Sequence, residues 1–161
     1  MEEFKKLILP LLVAAAVIIG VGFLTQKTNL KPTAESKTTR EIKIGRAILK
    51  AEVAQTEEQR QKGLSGRDRL GENEGLLFIF DQKGATPTFW MKGMKFPIDI
   101  IWIGKDKIIK IDTKVAPPAP NTPDSKLTLY KTNFPIDYVL EINSGYSDLN
   151  NIKVGDTVLI E

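Results

Sequence analysis

The feature that most constrains this chain is the run from Leu7 to Leu24, LILPLLVAAAVIIGVGFL, 18 residues without a charge. As a helix rising 1.5 Å per residue it measures about 27 Å, enough to cross the hydrocarbon core of a bilayer. Pro10 falls in the first turn, where a missing N–H costs least, and Gly20 and Gly22 are tolerated in lipid. The rival reading is a removable signal peptide, because Lys5 and Lys6 form a short basic flank. The apolar run is longer than an ordinary signal core, no A-x-A cleavage site follows it, and no Cys is present to carry a lipid. The expectation is therefore a retained single-pass transmembrane helix whose partner is membrane lipid.

That run divides the chain into a short flank (1–6), the anchor (7–24), a polar tether (25–40) and a folded domain (41–161). The tether, TQKTNLKPTAESKTTR, has too few hydrophobic residues to pack. Orientation is less strongly encoded, since Lys5 and Lys6 face Lys27, Lys31, Lys37 and Arg40 across the span. Long domains translocate largely regardless of flanking charge, so the expected location is the cell membrane with the C-terminal domain outside the cytoplasm.

The formal charge of +3 is confined to the N-terminal part. Residues 1–40 hold 6 Lys/Arg against 3 Asp/Glu, while residues 41–161 hold 17 of each. A neutral domain lacks the electrostatic footprint that phosphate backbones require, so no nucleic-acid partner is expected. The sequence contains no Cys and no His, which removes thiolate nucleophiles, imidazole ligands and the commonest general base. No cofactor and no metal site are implied, although a carboxylate-only site for a hard cation stays open in the absence of an EF-hand loop.

Within the domain, a strand around Ile42–Ile44 precedes an alternating one, Ala47 to Ala54. Thr56 with Gln59 three residues on has capping-box spacing, and Gly63 ends the short helix. Leu76–Phe80, Thr88–Met91 and Ile98–Ile103 follow, and Gly104-Lys105-Asp106 turns into Ile108–Asp112 as a hairpin. After the proline-rich loop 116–125, strand character resumes at Leu127–Tyr130 and Tyr138–Ile142. A short helix then spans about Ser144 to Asn150, and the last strand is Thr157–Ile160. Some eight short strands with two short helices predict a mainly β, compact barrel- or sandwich-like domain. The tetrapeptide Phe96-Pro-Ile-Asp99 recurs as Phe134-Pro-Ile-Asp137, too short a match to establish duplication.

Several separated motifs carry a family resemblance. Thr56 with Glu58-Gln-Arg60 and Gly63-Leu64, then Gly75-Leu-Leu-Phe78 with Phe80, then Phe89-Trp-Met-Lys92 with Pro97-Ile-Asp99, are followed by Val139-Leu-Glu141, Gly145 and Lys153-Val-Gly155-Asp156. In this order and spacing the chain, over roughly residues 42–161, resembles the DUF192 family of small bacterial and archaeal proteins. The resemblance implies a mainly β domain, often behind a signal or membrane segment, and carries over no catalytic set. After Trp-Met-Lys the family commonly has Asn-Thr; here the pair is Gly93-Met94, which weakens any shared site that uses polar groups at those positions.

Seven residues are candidates for a ligand-binding or structural cluster: Arg60, Arg67, Glu74, Trp90, Lys92, Asp99 and Glu141. Asp99 lies in a strand apolar on both faces, so its carboxylate should be buried and paired, with Arg60 or Arg67 the expected partner. The competing use of Asp99 is as a ligand or catalytic group. Phe89 and Met91 should face one way and Trp90 and Lys92 the other, leaving Trp90 the residue most apt to line a cleft. Arg60, Arg67 and Arg69 could converge as an anion pocket, but Glu57, Glu58 and Asp68 nearby blunt the field.

Three functions fit these features. The leading one is a noncatalytic binding or accessory module at the cell envelope, acting on an unidentified ligand or envelope protein. The second is a carboxylate-based hydrolase of an envelope polymer, pairing Asp99 with Glu74 or Glu141, or with Asp68 in the neighbouring loop. The third is a structural domain that docks onto a partner membrane protein. Two carboxylates in one pocket, an aromatic cleft, or a broad apolar patch would respectively distinguish the hydrolase, the binding module and the docking domain.

Overall fold

The computed structural model describes residues 38–161. The expected transmembrane segment and nearly all of the tether lie outside the described residues. Within them no helix is long and apolar enough to cross a membrane.

The elements run β1 (Thr39–Ile44), β2 (Ala47–Ala54), α1 (Glu57–Lys62), β3 (Glu74–Ile79), β4 (Ile98–Gly104), β5 (Lys107–Val115), a 3-10 turn (Asp124–Lys126), β6 (Tyr138–Asn143), α2 (Tyr146–Leu149) and β7 (Val158–Ile160). The seven strands form one sheet in the order β5-β4-β6-β3-β2-β1-β7. All neighbours are antiparallel except β2 and β3, whose parallel pairing needs the crossover that α1 and its following loop supply. The sheet curls until its edges meet at one end. There the Ile108 amide donates to the Asp156 carbonyl at 3.0 Å, and the amides of Gly155 and Val158 donate to the carbonyls of Ile108 and Asp106, both at 2.8 Å. The result is a single-sheet half-barrel with two short helices, not a two-sheet sandwich.

Seven strands replace the eight expected. Thr88–Met91 and Leu127–Tyr130 form only one isolated bridge, with the Phe89 and Tyr130 amides donating to each other's carbonyls at 2.8 and 2.9 Å. Phe89 and Tyr130 turn inward from that bridge to cover the sheet, and Pro87 and Pro123 keep the flanking chain out of a ladder.

Each face of the sheet carries a buried cluster, for different reasons. Inside the curl, side chains from all seven strands meet in one cluster that includes Ile42, Leu49, Leu77, Ile101, Ile108, Leu140 and Val158, plugged by Tyr146 and Ile152. On the outer face, Leu76, Phe78, Ile98, Ile100, Trp102 and Val139 are roofed by Leu64 and Leu70 from the α1 loop and by Phe89, Met91, Met94 and Phe96. Strand β4, covered on both faces, is therefore buried from Ile98 through Ile103, and each large apolar side chain so removed from water contributes about 1.5–3 kcal/mol. On β2 the alternation survives, with Ala47, Leu49 and Ala51 inside and Ile48 and Lys50 exposed, because no roof reaches that side.

A bulge in the β4–β5 ladder places the buried acid. Ile98 pairs with Val115 and Ile100 with Asp112, so the β5 strand carries an extra residue opposite Asp99. Lys114 there has φ +54°, which turns its amide out of the ladder. The amide donates instead to Asp99 Oδ1 at 2.8 Å. Gly145 N–H donates to the same oxygen at 3.0 Å and Ser147 N–H to Oδ2 at 3.0 Å, tying the β6–α2 turn to β4. Asp99 is fully buried, yet its partners are three backbone amides, not Arg60 or Arg67. Three N–H donors satisfy its oxygens without a counter-charge in contact.

Candidate functional site

The outer face carries a cleft of about 260 Å³ between α1, the end of β3 and the roof segment. Local sequence sets each wall. Thr56 caps α1, its hydroxyl accepting from the Gln59 amide while Gln59 Oε1 accepts from the Thr56 amide. The helix then stops at Gly63, whose φ of +48° suits glycine and whose added Cβ would lie 3.5 Å from the Phe78 ring. Opposite, Gly93 at φ +72° approaches so closely that a Cβ would sit 2.1 Å from Ser65 Oγ, and the Gly66 amide donates to the Gly93 carbonyl at 2.9 Å. The two walls are thereby joined at one end.

Between them the lining combines aromatic side chains, Phe78, Phe80, Phe89 and Trp90, with hydrogen-bonding ones, Gln61, Ser65 and Thr88. Phe89 is held edge-on between Phe78 (4.8 Å) and Trp102 (5.5 Å), an arrangement that fixes its ring. Trp90 remains 48% exposed at the mouth.

Glu141 contributes to the cleft from β6, between Leu76 of β3 and Ile100 of β4 in the ladder. It is 5% exposed, and its Oε2 is buried without a hydrogen-bond partner. Burial pushes its carboxyl up to about 8, with the Arg67 charge opposing only in part. At neutral pH Glu141 is therefore mostly the neutral acid, able to donate through O–H and to accept.

Of the seven sequence candidates, four line the cleft: Arg60, Trp90, Lys92 and Glu141. Arg60 is already engaged, donating to the Gln55 carbonyl, to the Ile79 carbonyl at 2.9 Å and to Asp81 at 3.2 Å, with its guanidinium 5.8 Å from the Phe80 ring centre. Lys92 pairs with Asp124 at 2.6 Å. Arg67 lies apart, forked onto both oxygens of Glu52 at 2.9 and 2.7 Å, so the three arginines do not form an anion pocket. Glu74 folds back to accept from the Gly71 amide at 3.0 Å. Asp99 shares the inner face with Ile142, whereas Glu141 and Glu74 lie on the outer face. A sheet thus separates Asp99 from either proposed carboxylate partner, and Asp68 is exposed and bound to Lys95 at 2.7 Å. Among the described residues no three acidic side chains converge to hold a metal ion.

The DUF192 family model, described as Uncharacterized ACR, matches residues 38–160. The chain belongs to the DUF192 family. Its fold is similar to a candidate transcription regulator from Sinorhizobium meliloti 1021, with 25% identity and a TM-score of 0.68, covering 78% of this chain and 95% of that one. It is also similar to a protein of unknown function from Novosphingobium aromaticivorans DSM 12444, with 30% identity and a TM-score of 0.65, covering 76% of this chain and 84% of that one. No curated protein matches the chain significantly. The DUF192 motifs map onto the cleft in a definite way: Gly63 and Leu64 form its helix-side edge, Phe78 and Phe80 its back, Phe89, Trp90 and Lys92 its roof, and Glu141 its polar group. Sequence reasoning missed Phe78, Phe80, Ser65 and Met94 as lining residues. Phe78 and Phe80 carried one signal, being two apart at the end of a strand and so on one face.

Proposed function

We propose that this DUF192 domain is a noncatalytic binding module of the cell envelope, anchored in the membrane by residues 7–24 with the domain outside the cytoplasm, and that its outer-face cleft receives a small ligand. The observation that carries the reading is the buried, unpartnered Oε2 of Glu141 in an aromatic cleft. An orphaned buried polar atom costs about 1–3 kcal/mol, a cost that a ligand group hydrogen-bonded to it would offset. A partly exposed Trp90 at the mouth, next to an immobilised Phe89, is the arrangement of a recognition surface. The hydrolase reading built on Asp99 finds no such support, since that carboxylate is consumed by three amides and faces the other way.

The test is saturation-transfer NMR on the full chain in detergent micelles, with a mixture of phenol, cyclohexanol, benzoate, choline and methyl glycosides. Thr88→Trp serves as the control, because Thr88 is exposed and lines the cleft, so a bulky side chain there fills it without entering the core. At least one compound should take up saturation from the native protein and none from Thr88→Trp. Saturation of no compound, or equal saturation in both proteins, would remove the binding reading.

A further inference from the structure

We propose that the cleft takes a single neutral sugar ring, its C–H face laid on Trp90 and one hydroxyl at Glu141; the inference rests on the binding reading above. Size is the first argument. Pockets for drug-sized ligands run about 300–1,000 Å³, and 260 Å³ admits one ring with its substituents.

Charge is the second. Arg60 and Lys92, two of the cations that line the cleft, are already paired with Asp81 and Asp124. Lys62 and Glu57 add one charge of each sign to the lining, and Glu141 is mostly the neutral acid. The cleft therefore offers no uncompensated charge for an ionic ligand to pair with, and a neutral ligand suits it. A hydroxyl also matches a protonated carboxyl, since each both donates and accepts.

The mixed lining is the third argument. A pyranose has an apolar face of C–H bonds and a rim of hydroxyls, and the cleft combines aromatic side chains (Phe80, Phe89, Trp90) with hydrogen-bonding ones (Gln61, Ser65, Thr88). A plain aromatic alcohol would match the aromatic side chains and leave most of the polar ones unmatched.

The experiment is titration of the full chain in micelles with methyl glucoside, methyl mannoside and methyl N-acetylglucosaminide, followed by saturation transfer, with phenol, benzoate and choline run in parallel. At least one glycoside should bind saturably, with about tenfold weaker binding in Trp90→Ala and none in Thr88→Trp. Thermal unfolding of each variant verifies that it is folded, and Trp90→Phe, which keeps a ring at the mouth, should restore most of the affinity. If phenol, benzoate or choline binds in a Thr88→Trp-sensitive way while no glycoside does, the sugar assignment falls and the binding cleft stands. If no probe binds, both fall. Glycoside binding that Trp90→Ala and Thr88→Trp leave unchanged would place the sugar elsewhere and overturn the assignment.

Discussion

Two buried carboxyls separated by the thickness of one sheet behave in opposite ways, and the difference is in what surrounds each oxygen. Asp99 has three N–H donors, so its substitution should be costly. Asp99→Asn replaces one acceptor with an NH2 group that must face a backbone donor. We expect urea unfolding at pH 7 to show a loss of about 3 kcal/mol or more, and an unchanged midpoint would contradict the three-amide cradle. Glu141 has its carboxyl pushed up to about 8 from an ordinary value of 4.5 in the unfolded chain. Below pH 4.5 both states are protonated. Between there and about 8 the folded state holds the extra proton, so stability falls as pH rises through that window. Glu141→Gln should flatten this dependence and leave the variant more stable than the native protein at pH 8, by an amount on the order of a few kcal/mol. Parallel urea curves at pH 5 and pH 8 measure it; an equal slope in both proteins would show that Glu141 titrates normally. That Asp99 is buried was legible from the apolar residues flanking it on both strand faces. Its partners were not, because nothing in the sequence announces that Lys114 adopts a positive φ and turns its amide away from the ladder.

At the scale of elements, local signals decided local structure. The Thr56-to-Gln59 spacing is a capping box in three dimensions and Gly63 is the stop, so α1 is encoded within eight residues. Thr56→Ala removes the hydroxyl that caps the Gln59 amide and should cost about 1 kcal/mol. Since α1 forms one wall of the cleft, amide hydrogen exchange should increase there before it changes in β4 or β6, and uniform protection would argue against a local role. The hairpin at Gly104-Lys105-Asp106 was equally legible. Harder to read was the roof: Thr88–Met91 has strand composition, yet its apolar residues are spent on covering Phe78 and Trp102. For the same reason Glu141 reads in sequence as one polar residue on an alternating strand. Its burial depends on segments about fifty to eighty residues away that no local period reveals.

For the whole molecule, a β domain with two small helices was legible from strand lengths and turn residues, whereas closure of a single sheet was not. Closure depends on the contact between the start of β5 and the turn before β7, two segments that look like ordinary hairpin ends. The proposed anchoring is tested at this scale. The full chain should remain with membranes through alkaline carbonate extraction, while a chain lacking residues 7–24 should be released; release of the full chain would show that the segment does not span.

The position of β1 has a mechanical consequence. The strand is hydrogen-bonded along both edges, to β2 through six register pairs and to β7 through three, and the Glu41 and Glu161 backbones bond reciprocally beside it. Traction on the chain ahead of residue 38 enters the fold through this strand. To draw β1 out of the sheet it must break the bonds on two edges, where an unclasped edge strand would have to lose only one.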